Sequence, residues 1–130
     1  MADYASIDDN SFPEVVVTFT GESATHQNFQ NYLDALKRLY VPKDNLGIIF
    51  DATKAKLPGR KFQKMQADWL KKNESMMKEN CVGTAYVIEN TTIRAVLKMI
   101  FAITPQPVPY KVCSGMDEAR DYIAKQLFDK

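Results

Sequence analysis

The run Leu46-Gly-Ile-Ile-Phe50 carries no polar side chain on either side of its pleat, and it stops at Asp51. A strand without polar alternation has to be covered on both faces, which is the condition of a central strand in an α/β sheet. The polar segment Lys54–Lys61 follows it. Next comes a helical pattern in which Phe62, Met65, Trp69, Met76 and Met77 share one face, opposite Lys61, Lys64, Asp68, Lys71 and Lys72. Strand, loop, helix in that order puts the loop at the carboxyl edge of the sheet, where open α/β folds place their working residues.

The rest of the chain repeats the theme. Tyr4–Ile7 and the β-branched run Phe12–Thr20, separated by the turn Asp8-Asp9-Asn10-Ser11, predict an N-terminal hairpin. Phe29, Leu33, Leu36 and Tyr40 recur at helical spacing and predict a helix from Thr25 to Tyr40, capped by Ser23 or Thr25 and ended by Pro42. The apolar pattern after the Lys54–Lys61 loop predicts one helix from Phe62 to Asn80. Val82–Ile88 predicts a second buried strand. A third helix, capped by Thr91 or Thr92, runs to Thr104, and Pro105, Pro107 and Pro109 prevent its continuation. Val108–Cys113 and a helix opened by Ser114-Gly-Met-Asp117 complete the chain. Strands alternating with helices imply right-handed crossovers. The expected fold is one α/β domain over residues 1–130: a mixed, mostly parallel sheet with an N-terminal β-hairpin and four helices.

Charge excludes some partners. The net charge is +1, so no global field selects nucleic acid or an anionic membrane surface. The distribution is uneven. The first thirty-six residues hold Asp3, Asp8, Asp9, Glu14, Glu22 and Asp34 with no Lys or Arg, whereas residues 54–78 carry eight basic residues against Asp68 and Glu74. That stretch predicts a basic helix face. The two cysteines, Cys81 and Cys113, have no metal-binding spacing and read as reduced thiols of a cytoplasmic protein. The N-terminus shows no signal-peptide pattern, and the apolar stretch Ala95–Thr104 is too short to span a bilayer.

No known chemistry announces itself. GxGxxG, GxxxxGK[ST], GxSxG and HExxH are all absent, and the single His26 stands without a cysteine or a second histidine near it. Strand ends offer Glu22, Asp51 with Thr53, Glu89 with Asn90, and Ser114, which read chiefly as local caps. No nucleophile–base pair can be assembled, so the chain is expected not to be an enzyme and to need no cofactor or metal. The third helix is unusual. Ile93, Val96, Leu97, Met99, Ile100, Phe101 and Ile103 surround it, leaving only Arg94 and Lys98 as a charged stripe. A helix apolar on most sides needs cover beyond one sheet face: another helix, a second subunit or an apolar ligand.

The order of elements, the Asp-ended strand and the final Asp-Glu-Ala helix together resemble the STAS superfamily, and within it the small bacterial SpoIIAA-like proteins, over Glu14–Leu127. In anti-sigma-factor antagonists a strand ends in Asp-Leu-Ser/Thr, and Asp-Ser-Ser/Thr-Gly follows with a phosphoacceptor serine at a helix start. Asp51-Ala52-Thr53 is similar to the first part, but Gly59-Arg60-Lys61-Phe62 stands in the second place without that serine. The resemblance implies a non-enzymatic regulatory or protein-interaction module lacking the usual phosphoacceptor. Its partner would be another protein or a second copy in a homodimer. Binding would use Asp51, Thr53, Lys54, Arg60 and Lys61. Trp69, Val96, Met99, Ile100 and Ile103 would form an apolar interface or groove. The alternative is a carrier of a lipid or small apolar ligand, with a pocket lined by Trp69, Met65, Ile100 and Phe101.

Overall fold

The computed structural model describes residues 2–103 and 105–129, without the side chains of Val96, Ile100 and Ile103. Its centre is a five-stranded sheet in sequential order: β1 (Ala5–Asp8), β2 (Glu14–Phe19), β3 (Leu46–Asp51), β4 (Cys81–Val87) and β5 (Tyr110–Cys113). Only β1 and β2 pair antiparallel; the other neighbours are parallel, as the alternation of strands and helices requires. The expected α/β mixed sheet and N-terminal hairpin are therefore present.

Among the described residues five helices, not four, connect and cover it: α1 (His26–Arg38), α2 (Arg60–Lys72), α3 (Glu74–Asn80), α4 (Thr91–Ile103) and α5 (Met116–Asp129). The extra helix arises because the expected single helix Phe62–Asn80 breaks at Asn73, whose backbone sits at φ −107° and ψ 16°. Its amide side chain and its own N–H both donate to the Trp69 carbonyl, at 2.9 and 3.0 Å. An asparagine that binds the previous turn competes with helix continuation, a local effect that apolar periodicity does not register.

Caps set the other helix starts. Thr25 accepts from the Asn28 amide while the Asn28 side chain accepts from the Thr25 amide, a reciprocal box built with Asn in the third position. The cap of α4 is Asn90, whose Oδ1 accepts from the amides of Thr92 and Ile93, rather than the expected threonine. Before α5, the Ser114 amide and hydroxyl both donate to Glu118, so the acid completing that turn is Glu118 and not Asp117.

The sheet faces are unequal. On one side a single helix, α5, lays Ala119 and Ile123 against Ile49, Ala85, Val87 and Cys113. It approaches closely because Gly47 and Gly83 carry no side chain: a Cβ on Gly47 would lie 2.6 Å from Ile123 Cγ2. The other side holds the larger cluster, in which α1 contributes Phe29, Tyr32, Leu33 and Leu36 over Val15, Val17, Ile48 and Phe50. Helix α2 has no fully buried residue; Phe62, Met65, Trp69 and Leu70 only lean on this cluster. Both cysteines are free and buried. Among the described residues no helix is long and apolar enough to cross a membrane.

Candidate ligand-binding cavity

A cavity of about 220 Å³ lies on the side of the sheet that α1 covers. Its existence follows from the loose seating of α2. Where α5 presses Ile123 into a glycine notch, α2 stays lifted, and the space beneath it is lined by Ile48, Phe50, Thr84, Tyr86 and Ile88 of the sheet. Tyr32, Leu36 and Tyr40 close it from α1 and the turn after it. Gln66, Trp69 and Leu70 close it from α2, and Ile93, Leu97 and Phe101 from α4. Those last three recur at every fourth position, so one stripe of the apolar α4 faces the cavity. Among the wall residues Lys56, Leu57 and Gln63 are exposed and mark the mouth.

Aromatic rings form much of the wall. Phe19, Phe50 and Tyr86 stand on β2, β3 and β4 and lie nearly parallel, with interplanar angles of 14° and 9°. Phe50 and Tyr86 are register partners across β3 and β4, which places their rings directly side by side. Phe101 of α4 meets Tyr86 at 5.1 Å, and the Phe29 ring bridges to Phe62 at 5.3 Å.

Polar atoms in this wall are few and incompletely used. The Tyr86 hydroxyl donates to Gln106 Oε1 at 3.0 Å. Thr84, 1% exposed, and Tyr40, 3% exposed, have hydroxyls without a hydrogen-bond partner. The Thr84 hydroxyl lies beside the Tyr86 phenol, and that of Tyr40 beside the Cys81 thiol, but neither contact has hydrogen-bond geometry. Burial pushes the phenols of Tyr32, Tyr40 and Tyr86 above their ordinary value of 10.0, so all three are neutral at pH 7. Burial raises the Cys81 thiol as well. Among the described residues the cavity interior therefore carries no charged side chain, and the wall's one basic or acidic residue is Lys56 at the mouth.

The residues singled out from sequence divide sharply. Trp69 lines the cavity and is half-buried, with Phe62 and Met65 packed beside it on the core. Phe101 lines it too, whereas Met65 does not reach the wall. Met99 points away and is 63% exposed. The side chains of Val96, Ile100 and Ile103 fall outside the described residues. Asp51, Thr53, Lys54, Arg60 and Lys61 are absent from the cavity wall, which the same loop reaches through Ala55, Lys56, Leu57 and Pro58 instead. Asp51 closes a local turn, accepting from the Thr53 amide at 3.1 Å and the Thr53 hydroxyl at 2.6 Å. Arg60 and Lys61 are exposed at the start of α2, with Lys61 Nζ 5.7 Å above the Phe62 ring. Of the other strand-end groups, Asn90 caps α4, Ser114 pairs with Glu118, and Glu22 and Glu89 are exposed. Arg94, on the charged stripe of α4, is half-buried and donates to the Ile88 carbonyl at 2.7 Å.

The aromatic wall was the signal that charge-centred reading missed. Three of the four parallel strands, β2, β3 and β4, carry an aromatic as the last or second-to-last residue: Phe19, Phe50 and Tyr86. Among the described residues no group of three or more His, Cys, Asp or Glu side chains could hold a metal ion. The chain matches no family model, no curated protein and no solved structure.

Proposed function

We propose that this protein binds a small apolar molecule in the cavity between the sheet and helices α1, α2 and α4. The observation that carries the reading is the cavity itself: about 220 Å³ walled by aromatic and aliphatic side chains and uncharged inside. Natural cores close to crystal-like density, and an open apolar space of this size is unfavourable unless something occupies it. Size limits the occupant. A cavity of ~150 Å³ accepts benzene, and this one is about half as large again, far short of enclosing a two-chain lipid. The chemistry favours holding over turnover, because phenols, amides and one threonine supply no activated nucleophile.

The reading is tested by nuclear magnetic resonance titration with naphthalene and 1-octanol. Saturable shifts of the Trp69 indole N–H and the Ala55 amide are expected. Ala52→Leu, which fills part of the wall, is expected to abolish them. Absence of saturable shifts with every probe would overturn the reading.

A second reading is a regulatory module, STAS-like by the resemblance above, that recognises another protein or a second copy of itself. Exposed Leu57 within the basic segment Lys54–Lys61 and exposed Met99 on α4 favour it. Sedimentation of the wild type and of Met99→Lys decides the self-association: a dimer that the substitution splits supports it, and a monomeric wild type ends it.

A further inference from the structure

We infer that the cavity's ligand is an amphipathic monoanion, a single-chain carboxylate whose apolar tail fills the space and whose head group stays at the mouth beside Lys56. This inference rests on the binding role proposed above and names the ligand class and its orientation.

Three observations carry it. The first is how charge is distributed over the wall. The interior side chains are apolar or neutral, and burial keeps the phenols of Tyr32, Tyr40 and Tyr86 protonated. A carboxylate drawn inside would lose its hydration with nothing to replace it. Lys56 is the wall's one basic or acidic residue and is exposed, so a head group beside it keeps water on its outer side. A single charged group at the edge of an apolar pocket fixes a ligand's direction. The second is that the positive charge here is not already neutralised. Residues 52–67 hold Lys54, Lys56, Arg60, Lys61 and Lys64 and no Asp or Glu. Lys64 pairs with Asp68 at 3.3 Å, but among the described residues the other four form no ion pair. Elsewhere Lys78, Lys111 and Arg120 each meet a glutamate. The carboxylates at this edge of the sheet, Glu22, Asp51 and Glu89, take no part in the wall, and Asp51 is engaged in its turn by Thr53. An unpaired basic segment at the entrance draws anions and repels cations. The third is length. A cavity of ~150 Å³ takes the six carbons of benzene, so about 220 Å³ scales to roughly nine carbon atoms, a medium-length chain. Leu57, 51% exposed next to Lys56, continues the apolar surface to the rim.

Titration calorimetry with octanoate, 1-octanol and octylammonium tests this, because the three share one chain length and differ in the charge of the head group. At about 20 mM salt, where screening is weak, the expected order of affinity is octanoate, then 1-octanol, with octylammonium weakest. Lys56→Gln is expected to weaken octanoate by about 2–5-fold, the worth of an exposed ion pair, while leaving 1-octanol within about 2-fold. Lys56→Glu is expected to bring octylammonium above octanoate. Both substitutions change an exposed loop side chain, so the fold is retained. At about 500 mM salt the gap between octanoate and 1-octanol should narrow. If octanoate and 1-octanol bind the wild type alike, the inference fails and the cavity reading stands. A preference for octanoate that Lys56→Glu leaves intact would put the head group elsewhere, and that result overturns the inference as well. If no probe binds, the cavity reading itself falls.

Discussion

The ring of Phe50 lies parallel to that of Tyr86, 9° apart in plane and 5.1 Å between centroids, across a directly paired position of β3 and β4. Phe19 extends the row at 6.1 Å from Phe50. These rings are both core and cavity wall, so they tie the stability of the sheet to the shape of the site. A stacked aromatic pair contributes ~0.5–1.5 kcal/mol beyond its area burial. A double-mutant cycle of Phe50→Leu and Tyr86→Leu, measured by urea unfolding, is expected to return a coupling energy in that range. Additivity within ~0.3 kcal/mol would mean the rings act separately.

On the opposite face Gly47 is the position with least room. A Cβ there would meet Ile123 Cγ2 at 2.6 Å, and the atom in the way belongs to a side chain that is fully buried. Gly47→Ala is therefore expected to cost about 1–3 kcal/mol by overpacking. In an Ile123→Ala background, which alone leaves a hole, the same Gly47→Ala change should be close to neutral or favourable. A full penalty persisting in that background would show that the backbone at residue 47, not Ile123, resists the substitution.

These two sites mark where the sequence was readable. The unbroken apolar run Leu46–Phe50 predicts a strand covered on both faces, and β3 is that strand, with α5 on one side and the aromatic cluster on the other. The strand–helix alternation carries the topology because parallel neighbours demand crossovers. Asn73 was not readable, since the periodicity of Phe62, Met65, Trp69, Met76 and Met77 runs through it undisturbed. The cavity was hidden for a different reason. Trp69 looks the same in sequence whether its helix is pressed onto the sheet or lifted from it, and that distance is fixed by packing among residues far apart in the chain. Asp51 and Thr53 drew attention through their charge and hydroxyl, yet they satisfy each other in a turn.

Alkaline pH should destabilise this fold steeply. Tyr32 and Tyr40 have phenols raised by burial above the ordinary 10.0. Their contribution is fully present below that value. Above it the unfolded chain releases phenolic protons that the folded chain retains, so the unfolded state binds fewer protons and stability falls as pH rises. The slope is ~1.4 kcal/mol per pH unit for each such phenol, or about 3 kcal/mol for the two. Urea midpoints measured at about pH 9.5 and about pH 11 should separate accordingly, with phenolate absorbance appearing together with unfolding. Smooth titration of every tyrosine in the folded protein, with no loss of stability, would show that these hydroxyls reach solvent.

Asn73 makes the break between α2 and α3, one turn after Trp69. The residue is 7% exposed, and its side-chain amide holds the Trp69 carbonyl at 2.9 Å. Two effects oppose each other in Asn73→Ala. Alanine favours an uninterrupted helix by about 0.5 kcal/mol over asparagine. Losing the buried hydrogen bond costs ~1–2 kcal/mol and leaves the carbonyl with the backbone N–H alone. The second effect is larger, so the substitution is expected to destabilise by about 1 kcal/mol, with a shift in Trp69 emission as α2 reseats. A gain in stability, with helical circular dichroism rising, would show that the two helices prefer to fuse. In that case the amide of Asn73 would impose the interruption at a cost in stability, and packing around Met77 and Trp69 would not require it.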